Sequence, residues 1–173
     1  MAFTTEEFIH GALLAWGLTL LLLPGLLFAA LSIFGCATYD SAVSCSISDV
    51  SSRLFGAVML TVVGAAASVP MFFLFVLPAY ALNRIWERFP HSAVHITANA
   101  IFGLAVGAAS SFGAVFALGF VGLFTLAVPV VLSSTVAAAI AFPLAWRVTA
   151  ARALNADHGI AARCAWMFPR ATT

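Results

Sequence analysis

The chain alternates long apolar runs with short polar segments, and the interior of each run has no Asp, Glu, Lys or Arg. A helix needs roughly 20 apolar residues to cross the hydrocarbon core of a bilayer. The pattern therefore predicts an all-α polytopic membrane protein, built as one domain over residues 1–173 with a short cytoplasmic basic tail at 148–173. The four predicted transmembrane helices cover about 8–34, 54–82, 95–118 and 124–147.

The division between the third and fourth helices rests on length, because no polar loop interrupts residues 95–146. The best turn there is "GFVG" at Gly119–Gly122, since glycines lower the conformational cost of reversing the chain. Prolines inside the runs predict kinks. Pro70 and Pro78 frame "MFFLFVL" and are candidate hinges, with a static kink as the alternative.

Arginine placement predicts the orientation, because loops rich in Arg and Lys stay in the cytoplasm. With four crossings, Arg53 is the one arginine on the side opposite the termini, and the other six lie on the side of the termini. Both termini are therefore expected inside the cell (N-in/C-in). The arginines on the predicted cytoplasmic side are candidate contacts for anionic lipid or a partner: Arg84, Arg88, Arg147, Arg152, Arg163 and Arg170. The acidic start and long first run favour a retained membrane anchor over a cleaved signal peptide.

Composition supports the membrane assignment and narrows the partners. Apolar residues make up 64% of the chain and charged residues 8%, whereas soluble domains carry about 25% charged residues. The net charge of +1 is too small for nucleic-acid binding. The absence of lysine beside many alanines is typical of a GC-rich bacterial genome, so the expected location is the bacterial cytoplasmic (inner or plasma) membrane.

Two of the three cysteines, Cys36 and Cys45, are separated by eight residues in the loop predicted to face outward. That compartment permits disulfides, so the pair is expected to form one, while Cys164 is expected to stay a thiol in the cytoplasm. Lipid attachment at Cys36 is disfavoured, because Phe34 occupies a position where the cleavage signal needs a small residue.

The size and four-helix arrangement are similar to those of quinone-linked membrane oxidases that generate disulfides. In that family the first outer loop carries Cys-x-x-Cys, and a second outer loop carries another cysteine pair. Here "CATYDSAVSC" lacks the tight spacing, and the turn after the third run has no cysteine. The relay of electrons that the resemblance implies is therefore missing, and the chain is not expected to be an enzyme.

Polar residues at the start of the third run raise the question of a metal site. His91 and His95 have ligand spacing on a helix, but spacing identifies no third ligand, so they are only weak candidates. Asn99 falls inside the apolar run, where a buried amide often bonds across helices. No cofactor is expected.

Small residues recur along the third run, at Gly103, Gly107, Ser111 and Gly113. Faces of this kind let two helices approach closely. Together with Asn99 they predict a packing face, which serves either another helix of this chain or a partner's helix.

The runs hold no ionisable group of the kind that proton pumps and coupled transporters require. This absence and the small-residue face favour a non-catalytic accessory or assembly subunit of a larger bacterial membrane complex, for example one for lipid transport or respiration. The alternative is a small oligomeric carrier or channel for an apolar or lipidic substrate. The expected partners are membrane lipids and either other membrane subunits or further copies of the chain.

Overall fold

The computed structural model describes residues 4–37, 47–86, 91–117 and 124–157. These form four α-helices, each long and apolar enough to cross a membrane. The helices are α1 (Thr5–Ala37), α2 (Ile47–Trp86), α3 (Ser92–Ala117) and α4 (Phe124–Asp157). The prediction of an all-helical chain with four such helices is confirmed, and "GFVG" lies outside the described residues.

The helices extend beyond the predicted apolar runs. The 40 residues of α2 include Ser51, Ser52 and Arg53 before its run, and α4 continues past the predicted end at residue 147 to Asp157. Hydropathy detects only the part of a helix that suits hydrocarbon, whereas backbone hydrogen bonds continue into polar sequence. At 1.5 Å per residue even α3, with 26 residues, is about 39 Å long, against about 30 Å of hydrocarbon.

The start of α1 is fixed by a capping box. Glu7 N–H donates to Thr4 Oγ1 at 3.3 Å, and Thr4 N–H donates to Glu7 Oε2 at 2.9 Å. The two residues thereby satisfy backbone N–H groups that have no partner within the helix.

The four helices are arranged in a ring in chain order. α4 packs extensively against both α1 and α3, whereas α2 packs less extensively against α1 and has its fewest contacts with α3. Within the described ranges, no Cα atoms of the diagonal pairs α1–α3 and α2–α4 lie within 8 Å of each other. The centre of the ring is therefore open, and α2 is its most weakly held wall.

The α3–α4 seam is tight because glycines allow the backbones to meet. A Cβ built on Gly103 would lie 2.5 Å from the carbonyl oxygen of Ala138, and one on Gly107 would lie 2.7 Å from Thr135 Cα. Real Cβ atoms do not approach other atoms so closely, so only glycine fits at either position. These two residues of the predicted packing face lie against α4 of the same chain.

The outward side of α2 is exposed and strongly apolar. Phe73 is 69% exposed and Leu77 is 74% exposed, and the most apolar stretch of α2 has no buried residue. Such a surface suits lipid chains or another subunit. Prolines lie inside three of the helices: Pro24 in α1, Pro70 and Pro78 in α2, and Pro129 and Pro143 in α4.

Candidate functional site

The open centre of the ring is a cavity of about 170 Å³ that all four helices line. Leu23 and Leu27 come from α1, Phe75 from α2, Val106 from α3 and Phe142 from α4. An engineered apolar cavity of about 150 Å³ in another protein holds one benzene molecule. This central cavity therefore has room for one ring or a few methylene groups.

Most of the hydroxyl groups that line the central cavity donate to a carbonyl oxygen of their own helix, and Ser110 is the exception among the described residues. Thr19 Oγ1 donates to Ala15 O at 2.8 Å, and Ser111 Oγ donates to Gly107 O at 2.7 Å. Ser134 Oγ donates to Val131 O at 3.0 Å. With their hydrogens used in this way, the serines and threonines add little polarity, and the cavity is an apolar site.

Trp16 forms the strongest side-chain link between α1 and α2 in the cavity wall. Its Nε1–H donates to Ser68 Oγ at 2.9 Å, and Ser68 Oγ donates in turn to Ala65 O at 2.8 Å. The Trp16 ring also lies 5.9 Å from the ring of Phe72, centroid to centroid. Trp16 thus joins the α1 and α2 walls of the central cavity through a hydrogen bond and a ring contact.

A second, smaller space of about 60 Å³ lies at one end of the bundle. We call it the end cavity, and its polar lining residues are Asn83, Asn99, Trp146 and Thr149. Ala12, Ala79 and Phe142 line both this space and the central cavity, so the two are neighbours. The end cavity is at the end of the bundle where α1 and α3 begin and α2 finishes, the side predicted to face the cytoplasm.

The polar groups of the end cavity are partly satisfied. Asn83 Nδ2 donates to Ala79 O at 3.1 Å, and Asn99 Nδ2 donates to His95 O at 2.8 Å. Thr149 Oγ1 donates to Ala145 O at 2.9 Å. Trp146 Nε1 is buried and finds no acceptor in the part of the chain that the structure describes. The hydrogen bond of Asn99 Nδ2 lies within α3 and does not join two helices. The role of Asn99 in packing between helices therefore stays a prediction.

The two histidines considered as metal ligands occupy different surroundings. The His95 ring stacks on Trp146, with centroids 5.1 Å apart and planes 7° from parallel, while His91 is exposed just before α3. Over residues 4–37, 47–86, 91–117 and 124–157, no three His, Cys, Asp or Glu side chains group to hold a metal ion.

The other residues of the predicted packing face point in different directions along α3. Ser111 is 5% exposed, and a Cβ on Gly113 would lie 2.9 Å from the end of the Met71 side chain on α2. The predicted hinge residues Pro70 and Pro78 lie in α2, on either side of the cavity-lining Phe75.

The predicted lipid contacts are described only in part. Arg84 Nη2 donates to Tyr80 Oη at 2.9 Å, and both Arg147 and Arg152 are exposed on α4. Arg88, Arg163 and Arg170 lie outside the described residues. Cys45 also lies outside them, as does the side chain of Cys36, so their disulfide stays a prediction.

The chain matches no family model, no curated protein and no solved structure. Sequence reasoning missed both cavities and the role of Trp16. The signal that could have drawn attention to Trp16 is a polar ring atom in the middle of an apolar run, at a depth where it needs a partner.

Proposed function

We propose that the chain is a non-catalytic membrane protein that holds the apolar segment of a lipidic molecule in its central cavity. The observation that carries the proposal is the cavity of about 170 Å³, which all four helices line and into which few polar groups face. Its occupant would be one ring or part of a hydrocarbon chain of a larger lipid.

Packing is the physical reason for an occupant. Cavity-lining groups such as Phe75 and Phe142 are only partly buried and lack van der Waals partners on the side that faces the cavity, and an empty space forfeits that attraction. Lipid tails are as apolar as leucine, so binding from the bilayer depends on shape and contact rather than on expulsion of water. A methylene segment filling the cavity restores those contacts.

The weakly packed α2 gives such a segment a route from the bilayer. α2 has its fewest contacts with α3, and it contains Pro70 and Pro78 near the cavity wall. A proline removes one backbone hydrogen bond and lets a helix bend. We propose that α2 moves about these two residues to admit the ligand, as expected of a carrier that works as an oligomer.

The proposal includes the orientation and membrane expected from the sequence. Both termini face the cytoplasm of a bacterial cell, because the arginines gather at that side. The end cavity then lies at the headgroup level of the inner leaflet, and the central cavity lies at the level of the lipid chains.

Photolabelling provides the test. The protein in lipid nanodiscs is exposed to an alkane that carries a diazirine, and Ala67→Phe, which fills the cavity from α2, is compared with Ala66→Phe. Ala66 is the adjacent residue and is exposed, so it is a matched control. We expect Ala67→Phe to lose most of the labelling at cavity-lining residues such as Leu23 and Val106, and Ala66→Phe to retain it.

A second pair of variants, on α3, keeps the test decisive if Ala67→Phe does not fold. Ser110 lines the central cavity, whereas its neighbour Ala109 is exposed. Ser110→Phe is expected to reduce labelling and Ala109→Phe to leave it unchanged. Equal labelling of all four variants and the wild type would contradict the proposal.

A second candidate, an accessory subunit of a larger complex, is supported by the exposed apolar side of α2. Leu77 on α2 and Leu21 on α1 are 74% and 73% exposed, so they make a matched pair. If α2 contacts a partner, Leu77→Asn reduces the size of the assembly isolated in mild detergent and Leu21→Asn does not. A lone monomer from wild-type membranes would count against this role.

A further inference from the structure

The two cavities form a gradient of polarity along the bundle. The central cavity is lined by an indole and hydroxyls, most of which bond within the protein. The end cavity adjoins it across Ala12, Ala79 and Phe142 and adds two amides and the indole of Trp146, whose Nε1–H has no acceptor among the described residues. We infer that the bound molecule is an amphiphile whose uncharged, oxygen-bearing headgroup occupies the end cavity while its chain lies in the central cavity. This inference rests on the proposed function and names its substrate class.

The end cavity offers hydrogen bonds of both kinds. Asn83 and Asn99 each use one Nδ2 hydrogen on their own helix. An amide carries a second N–H and an Oδ1 acceptor, so each residue can donate to a carbonyl or accept from a hydroxyl. Alcohol, ester and ketone groups all fit this donor and acceptor set.

Trp146 gives an independent reason for an oxygen atom near this cavity. It lines the cavity, and its Nε1–H is buried without an acceptor among the described residues. A buried N–H without a partner is unfavourable, because it has lost its bonds to water and gained none. Nε1 has almost no accessible surface in this structure, so a ligand oxygen reaches it and removes that penalty only when a neighbouring side chain shifts. Stacking on His95 holds the Trp146 ring beside the cavity meanwhile.

The lining also selects against charge. None of the described residues that line the end cavity carries a formal charge. An ion placed in this cavity would lose its hydration without meeting a counter-ion among the lining residues, and burial of an unpaired charge is costly. The volume of about 60 Å³ exceeds the roughly 10–15 Å³ that a single water needs, so a small neutral headgroup fits.

The experiment uses four diazirine probes with the same chain on the wild-type protein in nanodiscs. One is the plain alkane, one is a monoacylglycerol, one ends in a sulfonate and one ends in trimethylammonium. We expect the monoacylglycerol to label about threefold to tenfold more strongly than the alkane, the gain from one or two hydrogen bonds. Both ionic probes are expected to label less than the alkane.

Three variants then test the residues. Asn83→Leu and Asn99→Leu remove the amides, and Trp146→Phe removes the N–H but keeps a ring; each is expected to erase the advantage of the monoacylglycerol. Asn155→Leu, on α4 away from both cavities, is the matched control and should keep it. Unchanged alkane labelling shows in every variant that the bundle is intact.

The outcomes separate this inference from the proposed function. If the alkane labels the central cavity but the four probes label equally, or the three variants leave the preference unchanged, the headgroup inference is wrong and the proposed function stands. If the ionic probes label best, the inference is also wrong. If no probe reaches the central cavity, the proposed function itself fails.

Discussion

The indole N–H of Trp16 on α1 donates to Ser68 Oγ on α2 at 2.9 Å. The bond joins residues 52 positions apart and lies in the wall of the central cavity. Ser134 Oγ also reaches across helices, to Gly107 O, but at 3.5 Å it adds little. Because α2 is the most weakly packed helix, this one bond has a large influence on its position.

Removing the Trp16–Ser68 bond is expected to destabilise the bundle. Trp16→Phe and Ser68→Ala each delete one side of it, and interhelical hydrogen bonds in membranes are worth about 0.6–2 kcal/mol. We expect a coupling energy of that size from a double-mutant cycle, measured as the free energy of unfolding in mixed micelles. Ser32→Ala is the control, because Ser32 Oγ donates to Phe28 O within its own helix. A coupling energy near zero between Trp16 and Ser68 would show that their hydrogen bond is not made in the membrane.

Replacing the α3 glycines by alanine is expected to destabilise the bundle most where the new Cβ contacts rigid backbone, and least where it contacts a flexible side chain. Gly103→Ala and Gly107→Ala push a Cβ against the backbone of α4 and should each cost about 1–3 kcal/mol of unfolding free energy. Gly113→Ala meets only the flexible end of Met71 and should cost less.

Gly25→Ala is the control for this series, because no atom of the described residues lies within 4 Å of a Cβ built there. Alanine favours a helix over glycine by about 0.8–1 kcal/mol, so this variant should be neutral or stabilising. If all four glycine variants unfold alike, the close approach of α3 to α4 is not present in the membrane.

The arginine distribution predicts the outcome of reporter fusions. Alkaline phosphatase is active only outside the cytoplasm, so a fusion after Ala37 at the end of α1 should be active. A fusion after Trp86, at the end of α2, should be inactive because the chain has returned to the cytoplasm. The reverse pattern would invert the orientation and move the end cavity to the outer leaflet.

The cysteine pair is expected to be oxidised. Cys36 and Cys45 should resist maleimide under non-reducing conditions and react after reduction, while Cys164 reacts in both. Labelling is measured by mass on the intact protein. Free Cys36 and Cys45 in untreated membranes would show that no disulfide joins them.

The helices could be predicted from the sequence because a run of more than 20 apolar residues has few other structures available in a chain of this length. Their ends could not, since Arg53 and Arg152 lie within helices but outside the predicted apolar runs. The close approach at Gly103 and Gly107 was also foreseeable from small-residue spacing. The choice between α4 and a partner's helix was not.

The cavities could not be predicted because their walls contain the same types of residue as the lipid-facing surface. Ala66 and Ala67 are adjacent and alike, yet one is exposed and the other lines the central cavity. In α2 every side of the helix is apolar, so no pattern shows which side turns inward. The pairing of Trp16 with Ser68 likewise depends on how the helices meet in space.

The most direct test of ligand binding in the bundle is the position of the photolabel on the wild-type chain. After labelling with the diazirine alkane, peptides are sequenced by mass spectrometry to locate each adduct. We predict adducts at cavity-lining residues such as Leu23, Phe75 and Val106 that persist as the probe is diluted. Adducts confined to outward residues such as Phe73 and Leu77, falling in proportion to probe concentration, would mean that only bulk lipid touches the protein.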